Sequence, residues 1–354
     1  MPSISFLQFD RYPTYQLFMV IVVAVAAAVL LLPLWIRLVR YRNIGQQVRA
    51  DGPQGHLVKQ GTPTMGGVLI MLVVTAVFLA IGHADPPSLL ALGAMLACGV
   101  LGFVDDYAKV VKERSLGLTA LTKIVWQVAI SLTIGLVAVN WVGVSAKVDL
   151  PLFGLGMDLG ILSSTFAVAG HMIVVPWLYL LLVCFMVVGF SNTVNLTDGL
   201  DGLAAGTVTI VMFAFAAIAF RQNHLPVALV AAAVAGACIG FLWYNSYPAD
   251  IFMGDTGSLG LGAVIATLAI VTKTELLSVL IGGIYVIEGL SVILQVASFK
   301  LTGKRIFRMA PIHHHFEMKG WSETKIMVRF WIVTGVFAGA GFALYFVSQL
   351  QVGS

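Results

Sequence analysis

Long apolar runs alternate with short polar connections along the whole chain of 354 residues. The hydrocarbon core of a bilayer is about 30 Å thick, so a helix that crosses it needs roughly 20 apolar residues. About ten segments approach that length, and the pattern therefore predicts that many membrane-spanning helices. The predicted spans are Leu17–Ile36, Met65–Ile81, Leu89–Phe103, Leu121–Trp141, Ile173–Phe190, Leu203–Phe220, Pro226–Trp243, Ser258–Val271, Leu276–Phe299 and Ile326–Val347.

The composition excludes a soluble protein and leaves no room for a separate soluble domain. Hydrophobic residues make up 59% of the chain and charged residues only 10%, and the mean hydropathy is +0.97. The longest interruptions, residues 37–64 and 142–172, are shorter than a typical domain. We expect an all-α integral membrane protein whose residues 1–354 form a single polytopic membrane domain. Within the second interruption, short alternating stretches of VSAKVDLPLFGLGMDLG suit a small hairpin.

The positive charges give the predicted orientation. When alternate connections are placed inside, they contain all 20 Lys and Arg residues except Arg11, Lys147, Arg221 and Lys273. Basic residues are retained on the cytoplasmic side, so this distribution predicts that both termini lie outside. The isoelectric point near 9.0 follows from the same bias, and we expect no nucleic-acid partner.

The polar residues collect in the internal connections and have no counterpart in the external ones. All five internal connections carry such a cluster, and the clusters are HLVKQGTPTMGG (His56 to Gly67), GFVDDYAK (Gly102 to Lys109), NLTDGLDG (Asn195 to Gly202), YNSYPADIFMGDTGS (Tyr244 to Ser258) and MAPIHHHFEMKGW (Met309 to Trp321). This asymmetry predicts a site that faces the cytoplasm.

Adjacent carboxylates at a membrane edge repel each other and are costly to desolvate, so they need a cation nearby. Lys109 follows Asp105 by four residues and Asp106 by three, which is close enough on a helix to form an ion pair. A solvated helix end with a local ion pair is the alternative. Asp255 precedes a glycine-containing apolar helix and could cap it, or could hold Mg²⁺ together with a phosphate.

Asn195, Asp198 and Asp201 are three residues apart and share one face if their segment is helical. Helix capping explains one of these residues but cannot explain all three. Phe252 offers a ring on which a base could stack, although an aromatic residue at the membrane interface is ordinarily an anchor.

The histidines His313, His314 and His315 follow Pro311. Consecutive side chains diverge, so a shared metal is disfavoured, and phosphate contact, proton transfer and surface decoration remain open. Glu288 lies inside the ninth predicted span, where a kink, a lipid groove and a structural hydrogen bond remain open.

Taken together, the internal face offers carboxylates for one hard cation, lysines and histidines for phosphates, and an aromatic ring with amides for a base or a sugar. Such a set suits a water-soluble nucleotide diphosphate that reacts with a substrate in the bilayer.

The motifs GTPTMGG, FVDDYAK, NLTDGLDGLA, FMGDTGSL and PIHHHFEMKGW resemble, in this order, those of the bacterial phospho-N-acetylmuramoyl-pentapeptide transferases. These enzymes fall within the polyprenyl-phosphate N-acetylhexosamine-1-phosphate transferase superfamily. The aspartate motifs are shared across the superfamily, whereas the histidine motif resembles the muramoyl-pentapeptide branch.

The resemblance implies a ten-helix homodimeric enzyme of the bacterial cytoplasmic membrane, with periplasmic termini. It would transfer phospho-MurNAc-pentapeptide from UDP-MurNAc-pentapeptide to undecaprenyl phosphate, with Mg²⁺, and form lipid I and UMP. The resemblance places Asp105, Asp106, Lys109, Asp255 and the run His313 to His315 among the catalytic residues, with Asp255 as the metal ligand. It also implies substrate-binding residues, namely Lys59, Thr64, Lys123, Asn195, Asp198, Asp201, Asn245 and Phe252.

Two mechanisms and two rival functions stay open at this point. The lipid phosphate could attack directly, with Asp105 as proton acceptor, or an aspartate could attack first and form a covalent phospho-enzyme. A sibling enzyme that transfers GlcNAc-1-phosphate is the nearest rival. An ion-coupled transporter is the rival from another class, although transporters place their site near the bilayer midplane.

Overall fold

The computed structural model describes residues 12–42, 45, 61–112, 117–150, 155–168 and 170–352; Lys59 lies outside these ranges. The helices are α1 (Pro13–Tyr41), α2 (Gly66–Ile81), α3 (Pro86–Val111), α4 (Ala120–Val137, continued by a π-helical turn at Ala138–Val142), α5 (Trp177–Thr197), α6 (Leu203–Arg221), α7 (Leu225–Asn245), α8 (Gly254–Val271), α9 (Glu275–Ile281), α10 (Gly283–Thr302), α11 (Ile312–Glu317) and α12 (Glu323–Val352). The strands are β1 (Lys147–Leu150), β2 (Leu155–Asp158), β3 (Ser163–Val168) and β4 (His171–Pro176).

The fold class predicted from the hydrophobic pattern is confirmed. In the described part of the chain, 9 helices are long and apolar enough to cross a membrane, and α2 is a shorter apolar helix. The protein is therefore an all-α, multi-pass integral membrane protein. The ninth predicted span, Leu276–Phe299, is not one helix, because the chain breaks at Gly282 between α9 and α10. Two successive glycines weaken a helix here, and the second packs against the ring of Phe337.

The long connection between α4 and α5 forms two antiparallel hairpins. The first, β1 with β2, confirms the predicted hairpin. The second, β3 with β4, was not predicted, so α5 begins at Trp177 and the expected start at Ile173 is wrong. The run Ile173–Val175 is apolar, but Asn140 at the end of α4 accepts a hydrogen bond from the Val174 N–H and donates one to the Val174 carbonyl. These bonds tie the segment to α4 as a strand.

Helix α8 lies at the centre of the bundle. Every residue from Thr256 to Val271 is buried, and α6 and α7 are also largely enclosed. Helices α2 and α3 approach α8 at glycines: a Cβ on Gly67 would lie 2.1 Å from the Gly257 nitrogen, and one on Gly102 would lie 2.2 Å from the Asp255 carbonyl oxygen. The first turn of α8 is thereby pressed against the acidic end of α3.

Candidate active site

An acidic cluster forms where the last turns of α3 meet the first turn of α8. Asp105, Asp106 and Asp255 each offer a carboxylate oxygen within 4.8 Å of the others. Lys109 lies among all three, with its Nζ 2.7 Å from Asp105, 3.5 Å from Asp106 and 3.1 Å from Asp255. Lys123, from the first turn of α4, places its Nζ 3.1 Å from Asp255 and 3.6 Å from Asp105. Three carboxylates thus face two ammonium groups, and one negative charge is left over.

Both carboxylate oxygens of Asp106 accept hydrogen bonds from the start of α8. Its Oδ1 accepts a hydrogen bond from the Asp255 N–H at 3.1 Å, and its Oδ2 accepts from the Thr256 N–H at 2.9 Å and the Thr256 hydroxyl at 2.7 Å. The first N–H groups of a helix have no partner within the helix, so a side chain of α3 caps α8. Met253, the N-cap residue of α8 itself, makes no side-chain capping hydrogen bond.

Asp105 is fully buried and is held from two sides. Its Oδ1 accepts a hydrogen bond of 2.7 Å from the Leu118 N–H, and its Oδ2 is paired with Lys109. The neighbouring Gly117 packs directly on this carboxylate, since a Cβ there would lie 2.5 Å from Oδ1. The segment before α4 therefore encloses Asp105.

Asp255 differs from the other two carboxylates because its partners in the described residues are side chains. Asn195 donates a hydrogen bond of 3.0 Å to Oδ1, and the two lysines approach Oδ1 and Oδ2. The side chain keeps 14% of its exposure, against none for Asp105 and 4% for Asp106. Asp255 can therefore exchange its partners for a ligand with the least rearrangement.

The NLTDGLDG motif does not form one continuous helical face. Asn195 lies in the last turn of α5 and also donates to the Ser258 hydroxyl at 2.8 Å. Asp198 follows α5, and burial together with the carboxylates of Asp255 and Asp106 raises its pKa well above the ordinary value. Asp201 is buried, and its Oδ2 accepts a hydrogen bond from the Ala249 N–H at 3.0 Å. Asn195 thus contacts the acidic cluster, the Asp198 carboxylate lies near enough to interact with it electrostatically, and Asp201 contacts the connection between α7 and α8.

Thr64 and Phe252 are neighbours because their segments form backbone hydrogen bonds. The Phe252 N–H donates to the Pro63 carbonyl at 2.8 Å, and the Gly66 N–H donates to the Phe252 carbonyl at 2.9 Å. Asn245 is buried, with Oδ1 accepting from the Gly202 N–H and Nδ2 donating to the Ile251 carbonyl. Asn245 therefore joins the connection after Asp201 to the connection that leads to Asp255.

The expected divergence of the three histidines is wrong for the first two, because the ring centroids of His313 and His314 lie 4.1 Å apart, whereas His315 has a separate partner. His313 is fully buried, and its Nδ1 lies 3.0 Å from Glu288 Oε1. His314 places Nδ1 2.8 Å from Glu317. His315 accepts a hydrogen bond from the Arg308 N–H, and removal from water together with Lys319 and Arg308 lowers its pKa. His313 and His314 approach the NLTDGLDG connection, where a Cβ on Gly199 would lie 2.4 and 3.4 Å from their Nε2 atoms.

The sequence pattern did not identify three residues that complete this site. Thr256 and Ser258 bind Asp106 and Asn195, and the Leu118 N–H binds Asp105. Glu288 was singled out, and of the roles left open for it the structure contains the hydrogen bond, to His313. The hydroxyl residues follow Asp255 by one and three positions, which is a usable signal in the sequence. The backbone N–H of Leu118 carries no signal in the sequence.

Comparison with known proteins gives the family. The model of glycosyl transferase family 4 matches residues 88–273, and the phospho-N-acetylmuramoyl-pentapeptide-transferase signature 1 matches residues 59–71. The chain is 47% identical to the phospho-N-acetylmuramoyl-pentapeptide-transferase of Shouchella clausii over 92% of this chain and 97% of the relative. It is 48% identical to that of Bacillus subtilis over 86% and 90%, and 46% identical to that of Frankia casuarinae over 94% and 97%.

These matches cover almost the whole chain and include every element that contributes to the acidic cluster. The chain therefore belongs to the phospho-N-acetylmuramoyl-pentapeptide transferase family and is an enzyme of that kind.

Proposed function

We propose that this enzyme transfers phospho-MurNAc-pentapeptide from UDP-MurNAc-pentapeptide to undecaprenyl phosphate, with formation of lipid I and UMP. The observation that carries the proposal is the cluster of Asp105, Asp106, Asp255, Lys109 and Lys123 at one end of the helix bundle. A phosphoryl transfer needs positioned charges more than covalent chemistry by the protein. A site at the end of apolar helices can be reached by a soluble nucleotide and by a lipid phosphate.

Mg²⁺ fits this cluster, with Asp255 as the protein ligand. Mg²⁺ prefers oxygen ligands and commonly joins one or two carboxylates to substrate phosphates, where it neutralises phosphate charge. The net negative charge and the close carboxylate oxygens suit a cation. The carboxylate of Asp106 accepts hydrogen bonds from the start of α8, and that of Asp105 accepts one from the Leu118 N–H. The partners of Asp255 are side chains, which a bound ion can replace.

The two lysines bind and orient the phosphates. Both ammonium groups lie within 3.1 Å of Asp255, so they are in position to contact a diphosphate held beside it. Of the two mechanisms, we propose direct displacement by the lipid phosphate. Asp105 is buried and held by Leu118 and Lys109, which disfavours it as a nucleophile. The phosphate has a second pKa of about 6 and is mostly deprotonated at neutral pH, so direct displacement places little demand on Asp105 as proton acceptor.

The nucleotide sugar lies along the connections that surround the cluster. Asn195 donates a hydrogen bond to Asp255, and Asp198 follows it directly after α5. Thr64 and Phe252 lie on the paired segments before α2 and α8. We propose that Phe252 stacks on uracil, while Asp201 and Asn245 hold the backbone of these connections. Lys59, which the resemblance also implies, completes the set. The basic residues of the same connections support an orientation towards the cytoplasm.

Release of UMP tests the proposal. Purified protein in detergent is supplied with UDP-MurNAc-pentapeptide and undecaprenyl phosphate, with Mg²⁺ or with EDTA. We expect metal-dependent UMP release that is lost in Asp255→Ala while the variant keeps its melting temperature. No release from a folded, lipid-supplied enzyme would contradict the proposal. Turnover of UDP-GlcNAc instead would establish the sibling reaction, and a protein–phosphate adduct trapped without lipid would refute direct displacement.

A further inference from the structure

Glu288 is a buried carboxylate that lies outside the acidic cluster. It lies in the second turn of α10, is fully buried, and uses both oxygens. Oε1 lies 3.0 Å from His313 Nδ1, and Oε2 accepts a hydrogen bond of 3.0 Å from the Ile312 N–H. Both partners belong to the start of α11, so this one side chain attaches the histidine segment to α10.

The contact determines which nitrogen of His313 faces Glu288 and which remains available. A carboxylate only accepts hydrogen bonds, so Nδ1 carries the hydrogen in this pair. The other nitrogen, Nε2, is buried and has no hydrogen-bond partner among the residues that the structure describes. Buried polar atoms in folded proteins ordinarily have a hydrogen-bond partner, so Nε2 is available to accept a hydrogen bond from a bound substrate.

His313 Nε2 packs against the turn that carries Asp198. A Cβ added to Gly199 would lie 2.4 Å from this nitrogen, so Gly199 has to be a glycine in this packing. Asp198 precedes Gly199, and Asn195, one turn earlier at the end of α5, donates a hydrogen bond of 3.0 Å to Asp255. The available nitrogen of His313 is therefore directed at the edge of the active site.

We propose that Glu288 is a positioning residue for the transfer reaction. By holding Nδ1–H of His313 and the Ile312 N–H, it fixes the imidazole so that Nε2 faces the Asp198–Gly199 turn, where the nucleotide sugar supplies the missing hydrogen-bond partner. This inference rests on the proposed function and adds a residue of α10 to it. Without its carboxylate partner, the ring can rotate or change tautomer.

Glu288→Gln keeps the size of the side chain and removes the carboxylate. We expect kcat to fall about 10- to 100-fold, the factor that corresponds to one hydrogen bond to a charged group, with a smaller change in KM. Glu275→Gln is the matched control, because Glu275 is also buried and hydrogen-bonded, to Tyr179 and Lys273, at the opposite end of the bundle. We expect this control to lower the melting temperature without changing kcat.

A double-mutant cycle separates positioning from a purely structural role. If Glu288 acts through His313, then Glu288→Gln lowers the residual rate of His313→Ala by less than twofold, measured in single turnovers with labelled substrate. If it merely anchors α11 through Ile312, the same 10- to 100-fold loss persists in the His313→Ala background, and the proposal is overturned. Rescue by Glu288→Asp above the level of Glu288→Gln would support positioning by the carboxylate.

A spectroscopic measurement keeps the inference independent of the transfer assay. ¹⁵N-histidine spectra of the full-length protein in detergent, with His313→Gln to assign the resonance, report the tautomer. We expect protonated Nδ1 in the wild type and loss of this preference in Glu288→Gln. An Nε2–H tautomer in the wild type refutes the inference whatever the activity. If the tautomer is as expected but no transfer occurs, the proposed function has failed and the positioning contact has not.

Discussion

Replacement of Gly102 by alanine tests whether close packing of α3 on α8 sets the geometry of the acidic cluster. The new Cβ would lie 2.2 Å from the Asp255 carbonyl oxygen and 2.6 Å from the Thr256 nitrogen, whereas ordinary contacts begin at 3.4 Å. Backbone atoms cannot swing aside as a flexible side chain can. The two helices must therefore separate by about 1 Å, a change typical of overpacked cores that cost roughly 1–3 kcal/mol.

The same separation disrupts the cap on α8. The hydrogen bond from the Thr256 N–H to Asp106 measures 2.9 Å, so a further 1 Å or so places it at roughly 4 Å, outside hydrogen-bonding range. Displacements of about 1 Å in positioned groups can lower a rate about 100-fold. We therefore expect Gly102→Ala to lose on the order of 100-fold in kcat and to melt at a lower temperature.

The assay is Mg²⁺-dependent release of UMP in detergent, with the melting temperature measured on the same sample. Gly93→Ala is the matched control, because Gly93 lies on the same helix, is exposed, and has no atom within 4 Å of its would-be Cβ. Alanine is favoured over glycine in a helix by about 1 kcal/mol, so the control should be at least as stable as the wild type and equally active. Equal rates and melting temperatures for both variants would refute the reasoning.

Three further predictions concern single side chains. Asp106→Ala should lower the free energy of unfolding by about 0.5–2 kcal/mol through loss of the cap on α8. Asp255→Ala should abolish transfer with little loss of stability. Equal melting temperatures for the two variants would contradict these separate roles of the two aspartates. The folded-state pKa of Asp198 is raised above its ordinary value of 3.8. Its contribution to stability is therefore present below pH 3.8 and is lost as the pH rises through the raised pKa. Asp198→Asn should remove this part of the fall in melting temperature between acidic and neutral pH. Gly199→Ala should displace His313 and lower kcat, whereas Gly189→Ala on α5, with open space around it, should not; equal rates would show that the contact is unimportant.

The hydrophobic pattern predicted the helices because a bilayer imposes one length on every span. It failed where a run of apolar residues was not helical. The segment from Ile173 to Val175 reads equally well as the start of a span and as a strand, and hydrogen bonds from a distant residue, Asn140, decide between them. Likewise, Gly282 and Gly283 lie in an apolar stretch, and the rings of Phe190 and Phe337 that pack against them come from distant parts of the chain.

For the site, the sequence indicated which residues collect at one end of the bundle but not which atoms they contact. Spacing along one helix predicted that Lys109 pairs with one of Asp105 and Asp106, and the structure places it beside both. The capping of α8 by Asp106 joins residues about 150 positions apart, and no local pattern could reveal it. The same limit applies to Glu288, whose partner His313 is 25 residues away on another helix.

The contact between Asp106 and the start of α8 has a consequence for biosynthesis. The aspartate precedes its partner Asp255 by 149 residues, and translation at about 5–20 residues per second separates them by roughly 7–30 s. During that interval α3 is already available for insertion, although its two carboxylates still lack most of their final partners. Lys109, one turn away, is the cation that can accompany them into the membrane edge. Until α8 has been synthesised, Lys109 can therefore serve as the counter-ion for the carboxylates of Asp105 and Asp106.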